Sequence, residues 1–329
     1  MQINNKFVTI LLKMVGSRCN MHCKYCYEHI SKKDNKNNKV PNLKEIKEYL
    51  SDFFEYKNIF IVFHGGEPLL ANFNDVRETL KFIKQNFKYN YKIQFQTNGI
   101  LLNENWIELM KQYNPQISLS ISLDPVGEKY LRYSNNFFNR EKIINNLENS
   151  LKYIENIGII SVVHKYNYKY FDAFIEEMMG IGVKNFTINK YQSKNINEPG
   201  AISELEYIIF LKEIFKKWVH EQWYKKIRIQ PLNSLFSKKN RLCIYLADDK
   251  KCSYFKTFYN KNNILDFCDH IIDNKLPTIM EKCKKCDIYN FCGGGCLAEI
   301  KDDSFCEARK ELFYFIEEIK NENKKSYWK

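Results

Sequence analysis

Cysteine placement limits what this chain can fold into more than any other feature of its sequence. Eleven cysteines form two blocks, three between Cys19 and Cys26 and eight between Cys243 and Cys306. The first block has the spacing CxxxCxxC and is followed by Tyr27. A closed [4Fe–4S] cube takes four protein ligands, so three thiolates leave one iron open. Structural zinc, which takes four ligands and often uses CxxC pairs, is the alternative for this loop taken alone.

Length and composition indicate a globular chain of enzyme size. The 329 residues are 44% hydrophobic, and a prior of about 150 residues per domain predicts roughly two domains. No apolar run approaches the ~18 residues of a membrane span, and residues 1–15 lack a signal cleavage site. We therefore expect a cytoplasmic protein without a membrane partner, whose cysteines bind metal rather than form disulfides.

The net charge of +12 is the compositional feature that bears on partners. Basic residues are scattered through the chain, apart from a lysine-rich tail at 320–329 that we interpret as a solvated end. A charge of this sign favours an acidic peptide over nucleic acid as the partner, because no basic cluster marks a nucleic-acid site.

Alternating patterns predict repeated βα units over residues 6–223. Strands are expected at 7–15, 59–63, 92–96, 117–123, 159–164 and 184–189, and helices at 43–56, 74–87, 104–113, 141–156, 171–179 and 203–221. Six units favour an open partial (β/α)6 TIM-like barrel over a closed eight-unit one. The domain prediction is a barrel at 1–223, a linker at 224–239, a cysteine-rich domain at 240–310, and a C-terminal helix and tail at 311–329. The helical pattern itself extends over 307–323 and so begins just before the domain boundary.

Polar motifs follow the predicted strands at the end where parallel βα folds assemble their sites. His64-Gly65-Gly66-Glu67-Pro68 follows the second strand and Gln96-Thr97-Asn98-Gly99 the third. Ser120 to Asp124 ends the fourth. Gly-Gly and Asn-Gly are also ordinary turn signals, so each motif alone leaves a purely structural interpretation open.

Together, the cysteine loop and these motifs resemble the radical S-adenosylmethionine (radical SAM) superfamily, in which the open iron binds the amino and carboxylate groups of the cofactor. The resemblance implies one catalytic [4Fe–4S] cluster on Cys19, Cys23 and Cys26. The cofactor-binding residues it implies are Tyr25, Gly65, Gly66, Glu67, Gln96, Asn98, Ser122, Asp124 and Arg132. The chain departs from the family at Pro125, where a glycine is usual, and lacks the His-Asp pair often seen upstream of the arginine.

The second cysteine block resembles the SPASM extension of peptide-maturing radical SAM enzymes, through the run CxxC-x5-CxxxC from Cys283 to Cys296. The resemblance implies two auxiliary [4Fe–4S] clusters. One would take Cys243, Cys252, Cys268 and Cys296, and the other Cys283, Cys286, Cys292 and Cys306. Together with the catalytic loop they account for all eleven cysteines, although Cys243 fits a buried apolar cysteine as well. Asn263 stands where the family has a glycine.

The resemblance implies an oxidoreductase that cleaves SAM reductively and uses the 5′-deoxyadenosyl radical to abstract hydrogen from a ribosomally made peptide or protein. We expect a thioether or carbon–carbon crosslink. The alternatives are formylglycine formation, as in anaerobic sulfatase maturases, peptide epimerisation, and a cluster-bearing scaffold without turnover. Asp269 aligns with the general base of the maturases and would accept a proton.

Three partners follow from this chemistry. They are the precursor peptide or protein substrate, a one-electron reductase of flavodoxin or ferredoxin type, and a separate leader-binding protein. The cysteine loop begins at Cys19, which leaves no room ahead of it for a winged-helix leader-binding domain. Any leader recognition is therefore expected from the barrel, the cysteine-rich domain or this separate protein.

Overall fold

The computed structural model describes residues 4–30, 40–133, 139–193, 197–236, 254–266, 281–296, 301 and 304–323. Cys243, Cys252, Cys268 and Asp269 lie outside these residues. The chain divides into two compact units. Unit 1 comprises Met1–Leu123, Leu131–Ile159 and Ser253–Lys275, and unit 2 comprises Asp124–Tyr130, Ile160–Cys252 and Leu276–Lys329.

Unit 1 is built on four consecutive parallel strands: β1 (Asn4–Leu12), β2 (Tyr56–Phe63), β3 (Asn90–Thr97) and β4 (Ile117–Ser122). Helices alternate with them: α1 (Tyr27–Ile30), α2 (Leu43–Ser51), α3 (Phe73–Asn86), α4 (Glu104–Lys111) and α5 (Arg140–Leu151). Parallel strands need such crossovers. Strand register places Leu12, Phe63, Phe95 and Leu119 at one level, and all four are almost completely buried.

A hairpin from the far end of the chain extends this sheet, which the sequence did not predict. β8 (Phe255–Asn260) pairs parallel with β1, and β9 (Asn263–Leu265) pairs antiparallel with β8. Asn263 begins β9, and the only non-glycine residue with positive φ in the described chain is Gln222. The family's glycine is therefore not required here for a left-handed backbone.

Unit 2 continues the βα pattern from β5 (Ile157–Val163), whose first residues belong to unit 1. It contains α6 (Phe171–Ile181), β6 (Asn185–Lys190), α7 (Glu204–His220) and β7 (Arg228–Gln230), which pairs parallel with β6. Among the described residues, the remaining helices are α8 (Leu232–Phe236), α9 (Glu281–Lys284), α10 (Tyr289–Cys292) and α11 (Phe305–Asn323). The same residues contain 3₁₀ turns at Pro68–Leu70, Tyr168–Tyr170 and Trp223–Lys225.

All six predicted strands and six predicted βα helices are present, with bounds shifted by a few residues. Buried and half-buried residues alternate along β5, as expected for strand periodicity. Helix α7 begins with the capping box Ser203–Glu206 that its sequence contains. The segment expected as a linker carries β7 and α8. In the part of the chain that the structure describes, no helix is long and apolar enough to cross a membrane.

Phe95 should be a major source of stability for unit 1. Its ring stacks on Phe63 at 4.3 Å between centroids, and both rings are fully buried. We expect Phe95→Ala to cost about 3 to 5 kcal/mol of unfolding free energy, because it removes a large buried side chain and leaves a cavity. Denaturant unfolding followed by circular dichroism measures this.

The matched control is Phe7→Ala, since Phe7 is 46% exposed. It should change stability by no more than about 0.5 kcal/mol. Equal losses in the two variants would contradict the packing role of Phe95.

Candidate functional site

The cysteine loop follows β1 directly and packs against the Gly-Gly motif that follows β2. The Gly66 amide donates to the Gly16 carbonyl at 2.9 Å, and the Glu67 amide donates to the Arg18 carbonyl at 2.9 Å. Gly65 has a φ of +123°, and a Cβ on Gly66 would overlap the Arg18 carbonyl. Glycines are required here because the two backbones touch.

Glu67 joins this motif to the one after β3. Its side chain is fully buried and accepts three hydrogen bonds, from the Thr97 hydroxyl at 2.6 Å, the Asn98 amide at 2.7 Å and the Leu69 amide at 3.0 Å. Burial raises the pKa of Glu67, while the hydrogen bonds and the charge of Arg132 oppose the rise. The carboxylate therefore fixes two strand ends relative to each other.

Asn98 completes the connection back to the cysteine loop. Its side-chain amide nitrogen lies 2.7 Å from Asn20 Oδ1 and 3.8 Å from Cys19 Sγ. Its side-chain oxygen accepts from the Ile100 amide at 3.0 Å, which fixes the orientation of the amide group. The motifs after β1, β2 and β3 thus form one hydrogen-bonded cluster.

Arg132 is held beside the same loop. The amides of His22 and Lys24 donate to the carbonyls of Tyr133 and Leu131, each at 2.8 Å, so the two segments run side by side. The Arg132 guanidinium is buried and donates to the Tyr25 hydroxyl at 3.3 Å. Burial raises the pKa of Cys19, with the charge of Arg132 opposing the rise.

The residues beside Cys19 fit the implied cofactor. They offer a guanidinium, a side-chain amide and a hydroxyl, which suit a molecule with a carboxylate, an amino group and ribose hydroxyls. The thiols of Cys19, Cys23 and Cys26 are half-buried and form no disulfide bonds. Within the described residues no three His, Cys, Asp or Glu side chains form a single-ion site. A [4Fe–4S] cluster does not need a single-ion site, because each thiolate binds a different iron of the cluster.

Three residues at the base of the loop were not assigned a role from sequence. Lys13 is completely buried and forms an ion pair with Glu28, and His64 Nδ1 lies 4.0 Å from the same carboxylate. The Tyr27 hydroxyl lies 3.4 Å from His64 Nδ1. The available signal in the sequence was a charged residue, Lys13, beside the apolar run of the first predicted strand. The ion pair anchors α1, which begins directly after Cys26.

The other predicted cofactor contacts are placed as follows. Gln96 and Ser122 are half-buried at the carboxyl ends of β3 and β4. In unit 2, Asp124 is buried and accepts from the Ser161 hydroxyl at 3.2 Å and the Val162 amide at 2.8 Å. His164, for which the sequence suggested no role, follows β5. Burial lowers the pKa of His164 to about 4, while the charge of Asp124 opposes this shift.

The cysteines that the structure describes near the C-terminus come together in unit 2. Cys292 is buried with Ile288 and Phe305, and Cys286 and Cys306 pack against them. Burial and the charges of Cys306 and Cys286 raise the pKa of Cys283. A Cβ on Gly295 would overlap the Phe305 ring, so a glycine at position 295 is needed for this packing. A set of soft thiolate ligands fits iron–sulfur clusters or zinc. Cys296 is half-buried at the end of the turn.

Comparison with known families decides between these metals for the first loop. The model of the radical SAM superfamily matches residues 14–178, which is half of the chain and includes the cysteine loop and the three motifs. The chain belongs to the radical SAM superfamily. It is therefore an enzyme, and the expected zinc alternative for Cys19 to Cys26 does not apply.

Relatives that match along nearly their full length include maturases. The cysteine-type anaerobic sulfatase-maturating enzyme of Clostridium novyi is 24% identical, over 94% of this chain and 95% of its own length. The structure of native anSMEcpe with bound AdoMet and the Cp18Cys peptide matches with a TM-score of 0.80 at 18% identity, covering 96% of this chain and 99% of that one. Streptococcus suis SuiB bound to precursor peptide SuiA matches with a TM-score of 0.64 at 14% identity, covering 93% and 77%. These likenesses confirm the predicted α/β partial-barrel class with its parallel sheet and cysteine-rich C-terminal region.

Gly66→Ala should disrupt the catalytic loop. The added Cβ would overlap the Arg18 carbonyl and separate the loop from the Gly-Gly motif. We expect loss of the iron that Cys19, Cys23 and Cys26 are predicted to bind and loss of SAM cleavage, measured by iron analysis and chromatography after anaerobic reconstitution. Gly180→Ala is the control, because no atom lies within 4 Å of its added Cβ. Wild-type iron content in Gly66→Ala would contradict the model of touching backbones.

His164 predicts a pH effect on stability. A His whose pKa is about 4 when folded and about 6.5 when unfolded binds fewer protons in the folded state, so stability falls as pH drops below 6.5. Between pH 7.5 and 5.5 the wild type should lose about 1.3 kcal/mol relative to His164→Asn. Denaturant unfolding at both pH values measures this, with exposed His220→Asn as the control. Equal losses in wild type and His164→Asn would rule the effect out.

Proposed function

We propose that this radical SAM enzyme oxidises a residue of a ribosomally made peptide or protein and forms a thioether or carbon–carbon crosslink. The second group of cysteines is the observation that carries this proposal. Removing two hydrogens from a substrate leaves one electron to be accepted after the first hydrogen atom is taken. The thiols around Cys292 provide a buried place for an electron acceptor beyond the catalytic cluster.

The chain's own residues would have distinct roles. Cys19, Cys23 and Cys26 would hold the catalytic [4Fe–4S] cluster. Bound there, SAM supplies a 5′-deoxyadenosyl radical when one electron reaches it. Arg132, oriented by Tyr25, would pair with the carboxylate of the cofactor, and Asn98 would fix the Cys19 end of the loop. The proposed set of contacts is completed by Gly65, Gly66, Glu67, Gln96, Ser122 and Asp124.

We further propose that all eight cysteines of the second block serve two auxiliary [4Fe–4S] clusters. One would be held by Cys283, Cys286, Cys292 and Cys306. The packing of Cys286, Cys292 and Cys306 around Ile288 and Phe305 supports this set, as do the charges of Cys286 and Cys306 that act on Cys283. The other would be held by Cys296 with Cys243, Cys252 and Cys268. Oxidation of the substrate then releases one hydrogen atom, one proton and one electron. The hydrogen atom would go to the deoxyadenosyl radical, the proton to a base such as Asp269, and the electron to an auxiliary cluster.

A peptide substrate is supported by the neighbouring structures, which contain bound peptides in both anSMEcpe and SuiB. The net charge of +12 favours an acidic sequence in that peptide. A flavodoxin or ferredoxin would supply the electron to the catalytic cluster, and a separate protein would present the leader. These partners imply a cytoplasmic site of action.

Formylglycine formation is a second candidate, favoured by the match along nearly the full length of both chains to the Clostridium novyi maturase. The position of Asp269 after Cys268 agrees with it. Asp124-Pro125 departs from the family pattern and favours a different substrate. The two candidates share the abstraction step and differ in whether the oxidised carbon ends as a crosslink or an aldehyde.

Mass spectrometry of reacted peptides should separate these products. After anaerobic reconstitution with iron and sulfide, we expect the enzyme to cleave SAM and remove two hydrogens from a peptide encoded near its gene. A thioether crosslink also blocks thiol alkylation. Formylglycine instead reacts with hydroxylamine, and when formed from Cys it replaces sulfur with oxygen.

Cys23→Ala should abolish SAM cleavage, whereas Lys24→Gln in the same loop should retain it. Deuterium uptake from solvent without any other change of mass would contradict the oxidation and indicate an epimerase. An iron content of about four per chain rather than about twelve would contradict the three-cluster assignment.

A further inference from the structure

Unit 2 contains a buried group of three charges that the proposed chemistry does not yet use. Glu204 is the first residue of α7 and is completely buried. Its Oε2 lies 2.8 Å from Lys190 Nζ, and its Oε1 forms an ion pair with Arg309 Nε. The side chains of Lys190 and Arg309 are 12% and 7% exposed. One carboxylate thus faces two cations, and we call these three residues the charge triad.

Arg309 connects the charge triad to the cysteines. Its guanidinium carbon lies 5.0 Å from the centroid of the Phe305 ring, which is 3% exposed. The same ring packs with Cys292, and Gly295 leaves the space that it fills. Cys306 lies in the same helical turn as Phe305, three residues before Arg309. One aromatic ring therefore separates the guanidinium from the thiols.

Arg309 places a buried positive charge beside the thiols. A [4Fe–4S] cluster with four thiolates is an anion, and its negative charge increases by one on reduction. A fixed cation close to it stabilises the reduced form more than the oxidised form, because the attraction grows with the charge of the cluster. Charge and hydrogen bonding around a cluster are known determinants of its potential.

We propose that Arg309, oriented by Glu204, raises the reduction potential of the cluster held by Cys283, Cys286, Cys292 and Cys306. This inference rests on the proposed function, since it requires that cluster to be present. Arg309 would act on the cluster through its charge alone, because the Phe305 ring separates its guanidinium from the thiols. Its effect is to make this cluster a better acceptor for the electron that substrate oxidation releases.

The test measures cluster potentials without catalytic turnover. Cys19, Cys23 and Cys26 are changed to Ala in the full chain, so that only auxiliary clusters remain after anaerobic reconstitution. Iron content and potentials are measured by chemical analysis and by redox titration followed by electron paramagnetic resonance. Cys286→Ala in this background identifies the signal of the cluster concerned.

The charge of the triad predicts opposite shifts for two substitutions. Arg309→Gln removes a positive charge and should lower the potential, whereas Glu204→Gln removes a negative charge and should raise it. Arg309→Lys keeps the charge and should stay near the wild-type potential. Lys212→Gln is the matched control, because Lys212 pairs with Glu311 at 2.6 Å between the same two helices on their more exposed side.

An unchanged potential in Arg309→Gln, or shifts of the same sign in Arg309→Gln and Glu204→Gln, would overturn the proposal. A purely structural role predicts the latter result, through loss of packing in both variants. Circular dichroism would reveal whether Arg309→Gln folds. If it does not fold, the absence of an upward shift of the potential in Glu204→Gln is by itself enough to overturn the proposal. Absence of iron from the triple cysteine variant would instead refute the auxiliary-cluster assignment itself.

Discussion

The buried carboxylate of Glu67 is the interaction on which the site depends. A carboxylate without partners in a protein interior is strongly unfavourable, and here three donors from two strand ends converge on it. The backbone amide of the same residue binds the cysteine loop through Arg18. Moving any of the three loops would therefore leave a buried charge or a backbone group without its partner.

A cluster with an open iron requires its three cysteine ligands to be held in fixed positions. Three thiolates on one short loop can shift together unless the loop is held from outside. Asn98 holds the Cys19 end, and the Lys13 and Glu28 ion pair anchors the helix that follows Cys26. The cofactor that completes the cluster would therefore meet a site whose geometry is fixed before it binds.

The two units bury charge in different ways. In unit 1, Lys13 and Glu28 form a neutral pair, packed between the rings of Tyr27 and Tyr259. In unit 2 the charge triad brings the Arg309 cation close to thiols. A neutral pair suits anchoring, because it adds little field, whereas a cation beside thiols acts on an anion that they hold. Tyr259 comes from β8, so a segment distant in the chain supports the base of the catalytic loop.

The sequence by itself determined the class of fold and the chemistry. Alternating strand and helix patterns are local, and each of the six units formed where its periodicity indicated. The CxxxCxxC loop and the Gly-Gly-Glu-Pro motif identify the family, because short runs of residues are enough to show the spacing of the cysteines and the glycines that allow close backbone approach. Local pattern could not reveal that β8 pairs with β1, since a short hairpin carries no signal of its distant partner.

Only the tertiary structure decided which side chains work together. The sequence predicts Glu67 as a cofactor contact, and the structure adds that its carboxylate accepts hydrogen bonds from Leu69, Thr97 and Asn98. Arg309 reads as one more charge on a terminal helix. Its importance comes from packing, which buries it between Glu204 and the Phe305 ring. Desolvation of a charge depends on everything that surrounds it, so no stretch of sequence could have shown it.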